Sequence, residues 1–131
     1  FVDGGGVGGG VVDRLRQLGY SVIEINFGAK ATLPGFADMR AQCWGRMKEA
    51  LIDGIGVPDM PDPRSDLTGV EYGYDIRNNI RLAKKADIKK RGLASPDIAD
   101  AMALTYAMPV MPLTRSGHIV ETEARDYDPY E

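Results

Sequence analysis

A run of glycines near the start of the chain constrains its fold more than any other feature. The sequence opens Phe-Val-Asp, and six glycines then fill positions 4–6 and 8–10. The apolar opening that ends on Asp3 predicts the end of a β-strand, and apolar residues at helical spacing over 11–18 predict a helix. Because glycine lacks a side chain, the backbone between these elements can turn sharply and approach other groups closely. The run therefore predicts a tight turn that leaves Asp3 accessible at a strand tip.

The next segment predicts that the glycine turn belongs to an α/β arrangement. Residues 21–27, Ser-Val-Ile-Glu-Ile-Asn-Phe, alternate in polarity and are rich in β-branched side chains, which is typical of a strand. A strand, a turn, a helix and a second strand in such a short stretch predict a βαβ crossover. The two strands of such a unit run parallel.

The middle of the chain predicts a helix, an irregular segment and a pair of strands. An apolar stripe rich in methionine predicts a helix over 36–51, with its apolar side on the core. Three prolines in 55–66 predict an irregular loop. Two short strands are expected at 70–74 and 79–83.

The last part of the chain predicts two helices. A basic helix is expected to end at Gly92. Ser95 as the N-cap, with Pro96 at the first helical position, predicts a helix that runs to about Ala107. The first 107 residues are therefore interpreted as one domain, and 108–131 as a proline-containing acidic tail.

Composition limits the class of protein. No apolar run approaches the roughly 18 residues that a membrane-spanning helix needs, so no membrane association is expected. The single cysteine, Cys43, excludes an internal disulfide, and its apolar helical surroundings predict a buried thiol. The formal net charge of −3 argues against a uniformly basic nucleic-acid binder.

The charges are nevertheless segregated along the chain. Seven basic residues and only one acidic residue lie within 77–91, whereas the last eleven residues carry five acidic residues and one arginine. The basic segment immediately precedes a helix that carries two aspartates. This order favours a basic surface beside a carboxylate site, with DNA phosphates as the partner.

A nucleotide-binding interpretation of the glycine run remains open as an alternative. The run contains Gly-x-Gly-x-x-Gly from Gly4, and Glu24 follows twenty residues later, as in a dinucleotide fingerprint. Asp3 would place a negative charge where the pyrophosphate should lie, and Glu24 is expected inside its strand rather than at the tip. The rest of the chain contains no repeated βαβ units.

Three aspartates are the candidate chemical groups. Asp97 and Asp100 are three residues apart on the predicted last helix, so their carboxylates share one side of it. Together with Asp3 they provide oxygen ligands of the kind that Mg²⁺ or Mn²⁺ prefers. Two such ions would activate a water molecule and stabilise the leaving oxygen in phosphodiester hydrolysis. An N-terminal helix aspartate beside an ordinary surface aspartate is the simpler alternative.

Three segments of the sequence together resemble the nuclease domain of tailed-phage terminase large subunits. They are the glycine-rich turn with its flanks at 3–15, the Ser-Asp-Leu-Thr-Gly-Val-Glu-Tyr stretch at 65–72, and the Leu-Ala-Ser-Pro-Asp-Ile-Ala-Asp-Ala-Met-Ala-Leu-Thr stretch at 93–105. The combination of the glycine turn and the Ser-Pro-Asp-x-Ala-Asp-Ala run is more specific than either alone.

The resemblance implies a fold and a site. The fold would be α/β, an RNase H-like mixed sheet flanked by helices, here without its N-terminal strands. Asp3 and Asp97 would be the catalytic acidic residues and metal ligands, and Asp100 an additional metal ligand. The charge of the basic segment, independently of the resemblance, predicts that Lys84, Lys85, Lys89, Lys90 and Arg91 bind DNA phosphates.

The resemblance also implies a biological setting. The parent protein would cut concatemeric double-stranded DNA during genome packaging, in the host bacterial cytoplasm, with the terminase small subunit and the portal protein as partners. The family's first acidic ligand lies upstream of Phe1, so the chain is interpreted as a fragment with an incomplete metal site. An exposed sheet edge would then favour a homo-oligomer. A catalytically inactive assembly module of the packaging motor is the second alternative.

Overall fold

The chain begins with the expected parallel strand pair. In the computed structural model, which describes residues 1–110, strand β1 (Val2–Asp3) is followed by helix α1 (Gly8–Gln17) and strand β2 (Glu24–Ile25). The strands are parallel, with Val2 opposite Glu24 and Asp3 opposite Ile25. The second strand is shorter than the sequence predicts, because the chain turns away after Asp3 and leaves only two residues of β1 to pair with.

The helix α1 begins earlier than expected and takes in the second glycine block. Gly6, with a φ of 62°, supplies the left-handed turn between strand and helix. Gly8 is the first helical residue, and a Cβ atom there would lie only 1.7 Å from the backbone oxygen of Asp3. Glycine is therefore required at this position by close backbone packing.

Two helices form the middle of the fold. Helix α2 (Met39–Ile52) starts at Asp38, whose side chain accepts a hydrogen bond from the Ala41 amide at 2.9 Å. Helix α3 (Pro61–Gly69) lies in the segment that was expected to be irregular. That prediction is wrong for 61–66 because Pro61 and Pro63 fall in the first helical turn, where amide groups have no helical acceptor and prolines are tolerated.

The expected hairpin and final helices follow. Strands β3 (Tyr72–Tyr74) and β4 (Ile80–Leu82) are antiparallel and form a second two-stranded sheet. Helix α4 (Lys85–Lys90) and helix α5 (Asp97–Leu104) complete the described part. Most of the predicted tail, from residue 111, lies outside the described residues.

Helix α5 packs against α2 and α3, and this packing forms the core. Ala99 and Ala103 are fully buried, and their small side chains allow the helices to approach closely. The main apolar cluster contains Ala103 together with Ile25, Met39, Cys43, Met47 and Ala107. Over residues 1–110, no helix is long and apolar enough to cross a membrane.

Candidate functional site

The carboxylate of Asp3 is oriented by backbone amides at the tip of β1. Its Oδ1 atom accepts hydrogen bonds from Gly5 N at 3.1 Å and Phe27 N at 3.3 Å. Within residues 1–110, the Oδ2 atom accepts no hydrogen bond. The glycine turn thus holds one carboxylate oxygen and leaves the other available.

Asp97 and Asp100 lie one turn apart at the start of α5, as predicted, but their exposures differ. The Asp97 side chain is 73% exposed, whereas that of Asp100 is 8% exposed. The Nζ atom of Lys85, from α4, lies 3.0 Å from Asp97 Oδ1 and 3.1 Å from Asp100 Oδ2. The positive charge that two neighbouring carboxylates require is therefore supplied by the chain itself.

The contacts of Asp97 and Lys85 shift the pKa values of both groups. A hydrogen bond from the Ser95 hydroxyl at 2.7 Å, and then the Lys85 ammonium, lower the pKa of Asp97. Burial lowers the pKa of the Lys85 ammonium, but its hydrogen bond to Asp97 and the attraction of both carboxylates outweigh this effect and raise the pKa above its ordinary value. Both groups are therefore charged at neutral pH.

Asp100 is held from its other side by two residues of α2. Its Oδ1 atom accepts hydrogen bonds from Arg40 Nε and Trp44 Nε1, both at 2.9 Å. Its Oδ2 atom is buried and accepts no hydrogen bond from the described residues, so its attraction to Lys85 is ionic. This oxygen faces the Lys85 ammonium and is shielded from solvent.

Asp66 of α3, and not Ser95, caps the start of α5. The Oδ2 atom of Asp66 accepts hydrogen bonds from Ile98 N at 3.0 Å and Ala99 N at 3.3 Å. Pro96 occupies the N-cap position, and the Ser95 hydroxyl donates to Asp97 instead. The predicted Ser95 cap is wrong because a carboxylate from another helix satisfies the free amides.

The predicted DNA-binding set divides into paired and unpaired cations. Lys85 is engaged with the two aspartates, Lys90 pairs with Asp87 at 3.3 Å, and Arg91 pairs with Glu71 at 3.1 Å. Lys84 and Lys89 form no ion pair with any residue of the described part of the chain. Exposed ion pairs are weak, worth at most about 1 kcal/mol, so Lys90 and Arg91 remain able to exchange partners.

The cations of the basic segment lie in two separate places, on the β3–β4 hairpin and on or beside helix α4. Arg77 and Arg81 lie on the β3–β4 hairpin, and together with Lys30 they line an open cavity of about 1090 Å³. None of these three cations forms an ion pair within residues 1–110. The hairpin aspartate in the cavity wall, Asp75, accepts hydrogen bonds from Arg77 N and Asn79 N at 2.8 and 2.9 Å.

The described residues bring two of the three candidate metal ligands together. Asp97 and Asp100 are linked through Lys85, but no group of three or more His, Cys, Asp or Glu side chains within residues 1–110 is arranged to hold a metal ion. The Asp97 carboxylate is exposed, whereas Asp100 Oδ2 is buried against Lys85, so of these two side chains Asp97 is the one that an external cation can reach. Further ligands would have to come from elsewhere.

The described residues form an α/β fold in which a small parallel sheet and a small antiparallel sheet are flanked by helices. The chain is similar to a mutant nuclease domain of the large terminase subunit gp2 of bacterial virus Sf6 with manganese, with a TM-score of 0.60 and 19% sequence identity. The match covers 82% of this chain and 64% of that chain. The same mutant domain with manganese and beta-thujaplicinol gives a TM-score of 0.58 at the same identity and coverage.

These matches confirm the predicted fold class. The chain spans 64% of the length of the nuclease domain that it matches. No family model matches the sequence, and neither does any curated protein. The similarity is therefore one of structure.

Proposed function

We propose that this chain is part of the nuclease domain of a phage terminase large subunit, which cuts concatemeric double-stranded DNA during genome packaging. The observation that carries the proposal is the structural match to a terminase nuclease domain with manganese over 82% of the chain. The aspartates at the start of α5 agree with it, because acidic side chains are the usual ligands of catalytic Mg²⁺ or Mn²⁺.

In this proposal Asp3 and Asp97 hold divalent metal, with two ions in the complete domain. The ions would supply an activated water molecule and would neutralise charge on the cleaved phosphate. The free Oδ2 atom of Asp3 and the exposed carboxylate of Asp97 support these assignments. Asp100 is the weaker candidate ligand, because Arg40 and Trp44 already engage its Oδ1 atom.

The residues that contact Asp97 keep its carboxylate charged and hold it in place. The Ser95 hydroxyl and the Lys85 ammonium both contact Asp97 Oδ1. Lys84, which immediately precedes α4, and Lys89, within α4, are unpaired among the described residues and are the proposed contacts to DNA phosphates. Such contacts are independent of base sequence, as an enzyme that cuts packaged DNA requires.

The proposed partners and location follow from the proposed role. They are double-stranded DNA, the terminase small subunit and the portal protein, in the host bacterial cytoplasm. Within residues 1–110, β1 and β2 pair only with each other. An edge of this small sheet is the proposed contact for another strand, from a second copy or from the rest of the domain.

The nucleotide-binding alternative gains no support from the geometry of Glu24. Its carboxylate lies 3.6 Å from Arg16, and a Cβ atom on Gly4 would lie 2.1 Å from Glu24 Oε1. The acidic group therefore packs over the glycine turn, whereas a dinucleotide would need it free at the strand tip.

Metal binding and cleavage test the proposal together. Mn²⁺ added to the ¹⁵N-labelled chain should first broaden the amide resonances around Asp97 and Asp3, and Asp97→Asn should weaken this broadening. Supercoiled plasmid should be nicked in Mn²⁺ by the complete large subunit carrying this chain, and Asp97→Asn should abolish nicking. Asp13→Asn, on the exposed side of α1, is the matched control and should change neither result.

The alternatives give different outcomes in the same experiments. A nucleotide module would show NAD-dependent shifts of the Gly4–Gly10 amides and no Mn²⁺ broadening at Asp97. An inactive assembly module would show neither metal nor DNA binding. Either outcome would overturn the nuclease proposal.

A further inference from the structure

Arg40 contacts both helix α5, which carries Asp100, and the chain segment that leads from β4 to Lys85. Its Nε atom donates to Asp100 Oδ1 at 2.9 Å, and its Nη1 atom donates to the backbone oxygen of Ala83 at 3.1 Å. Ala83 immediately follows β4 and lies two residues before Lys85, while Asp100 lies on α5. The Arg40 side chain is only 13% exposed, so these contacts are shielded from water.

Trp44, one turn further along α2, completes the same arrangement. Its Nε1 atom donates to the Asp100 oxygen that Arg40 contacts, and the guanidinium carbon lies 5.9 Å from the centre of the Trp44 ring. Two donors on Oδ1 fix the plane of the carboxylate. The Oδ2 atom is then directed at Lys85, which is 3.1 Å away.

We propose that Arg40 is a positioning residue of the candidate site: through Asp100 and Ala83 it places the Lys85 ammonium against the Asp97 carboxylate. Arg40 has no contact with Asp97 itself, so its effect is indirect. The effect on cleavage rests on the proposed function, whereas the effect on the position of Lys85 does not.

The chemistry of the guanidinium explains why arginine is needed. Its planar group donates hydrogen bonds in several fixed directions, so one side chain can hold Asp100 and Ala83 at the same time. A lysine would retain the charge but would offer a single compact ammonium, which cannot reproduce both contacts in this geometry. Arg40→Lys therefore separates the positioning effect from the loss of charge.

The charged groups around Asp100 come from three elements. Arg40 belongs to α2, Lys85 to α4, and Asp97 to α5. In the described part of the chain, Arg40 is the cation that contacts Asp100 Oδ1, and Lys85 the one that contacts Oδ2. A substitution of Arg40 therefore removes a cation from Asp100 Oδ1. We expect the Asp100 carboxylate to reorient and the Lys85 ammonium to move with it.

The first test uses spectroscopy and needs no activity. Trp44 is the only tryptophan in the chain, so its indole N–H gives a single resonance that reports on Asp100. In Arg40→Lys this resonance and the Lys85 side-chain ammonium resonance should both shift. In the matched control Arg46→Lys, on the same helix and without an ion pair among residues 1–110, both should stay in place.

The second test measures cleavage by the complete large subunit. Arg40→Lys should lower kcat by about tenfold or more, as is usual for residues that orient ligands, while KM for DNA stays nearly unchanged. If Arg40→Lys does not fold, Trp44→Phe removes one donor from Asp100 and should shift the Lys85 resonance alone. Arg46→Lys should cleave at the parental rate.

The outcomes separate this proposal from the proposed function. A folded Arg40→Lys or Trp44→Phe protein with an unmoved Lys85 resonance overturns the positioning role. If the resonances shift in the variants but the complete large subunit does not cleave DNA, Arg40 does position Lys85 and the nuclease function is overturned. Shifted resonances with a parental kcat would show that the arrangement is structural only, which also overturns the proposal.

Discussion

Asp66 on α3 accepts a hydrogen bond from the backbone amide of Ile98 on α5, with an oxygen–nitrogen distance of 3.0 Å. The same oxygen also accepts from Ala99 N. A carboxylate at a helix N-terminus satisfies free amides and complements the helix dipole. The helix that carries Asp97 and Asp100 is therefore anchored at its start by a residue more than thirty positions earlier.

Removing the Asp66 cap should destabilise the protein. Asp66→Ala should lower the free energy of unfolding by about 1–2 kcal/mol, the usual cost of losing a capping side chain. Asp66→Asn keeps an acceptor oxygen and should lose less. Urea unfolding measures both, with Asp13→Ala as the surface control. Equal stability of Asp66→Ala and the parent would contradict the capping role.

Two glycines of the opening run should respond in opposite ways to alanine. Gly8→Ala places a Cβ atom against the Asp3 carbonyl and should cost about 1–3 kcal/mol or more. At Gly10, inside α1, an added Cβ atom would meet no atom of the described residues within 4 Å, so Gly10→Ala should stabilise by about 0.5–1 kcal/mol. Thermal unfolding of the two variants compares them directly, and a common sign would refute the packing argument.

Cys43 should be inert in the folded protein. The residue is fully buried, and burial raises the pKa of its thiol from 9.0 to about 11. Iodoacetamide should modify the native chain only at the rate of unfolding, because the thiolate is the reactive form. Rapid modification at neutral pH without denaturant would contradict this burial.

The raised pKa of Cys43 also makes stability depend on alkaline pH. The thiol ionises at a lower pH in the unfolded chain than in the folded protein. The stabilisation that the protonated Cys43 thiol contributes is therefore fully present below pH 9 and is lost as the pH rises from about 9 to 11. Cys43→Ala removes the ionising group, so the difference in stability between parent and variant should shrink across this range. Urea unfolding of both proteins at several pH values measures it.

Asp75 should make the β3–β4 hairpin sensitive to acid. Hydrogen bonds from Asn79 and Arg77 to its carboxylate lower its pKa below 3.8. The ionised Asp75 carboxylate stabilises the hairpin fully at pH values above the ordinary pKa of an aspartate. This stabilisation is lost as the pH falls through the lowered pKa of Asp75. The amide resonances of Arg77 and Asn79 should therefore shift only in that acid range, and Asp75→Asn should abolish the transition.

The sequence was informative wherever local pattern decides structure. The parallel pair on either side of α1 and the hairpin followed from alternation and turn residues, and the fold class followed from the resemblance. The helix over Pro61–Gly69 was missed, because prolines were interpreted as breakers although the first helical turn accepts them.

The network around Asp100 could not be predicted, because it depends on tertiary contacts. Arg40 is a charged residue outside the apolar stripe of α2, yet its side chain is only 13% exposed and it contacts a residue sixty positions later. No local sequence pattern indicates that the indole N–H of Trp44 donates a hydrogen bond to Asp100. Lys85 was predicted to bind DNA phosphates, but the structure engages it with Asp97 and Asp100.

The cluster formed by Arg40, Lys85, Asp97 and Asp100 contains two positive and two negative formal charges. It is therefore electrically balanced before any external ion arrives. Small metal-dependent domains unfold when the metal is withdrawn, because their ligands have no other partners. Because the chain balances these charges itself, we expect the fold to form without an ion. A chelator should then leave the melting temperature unchanged, while it stops the cleavage proposed for the complete large subunit.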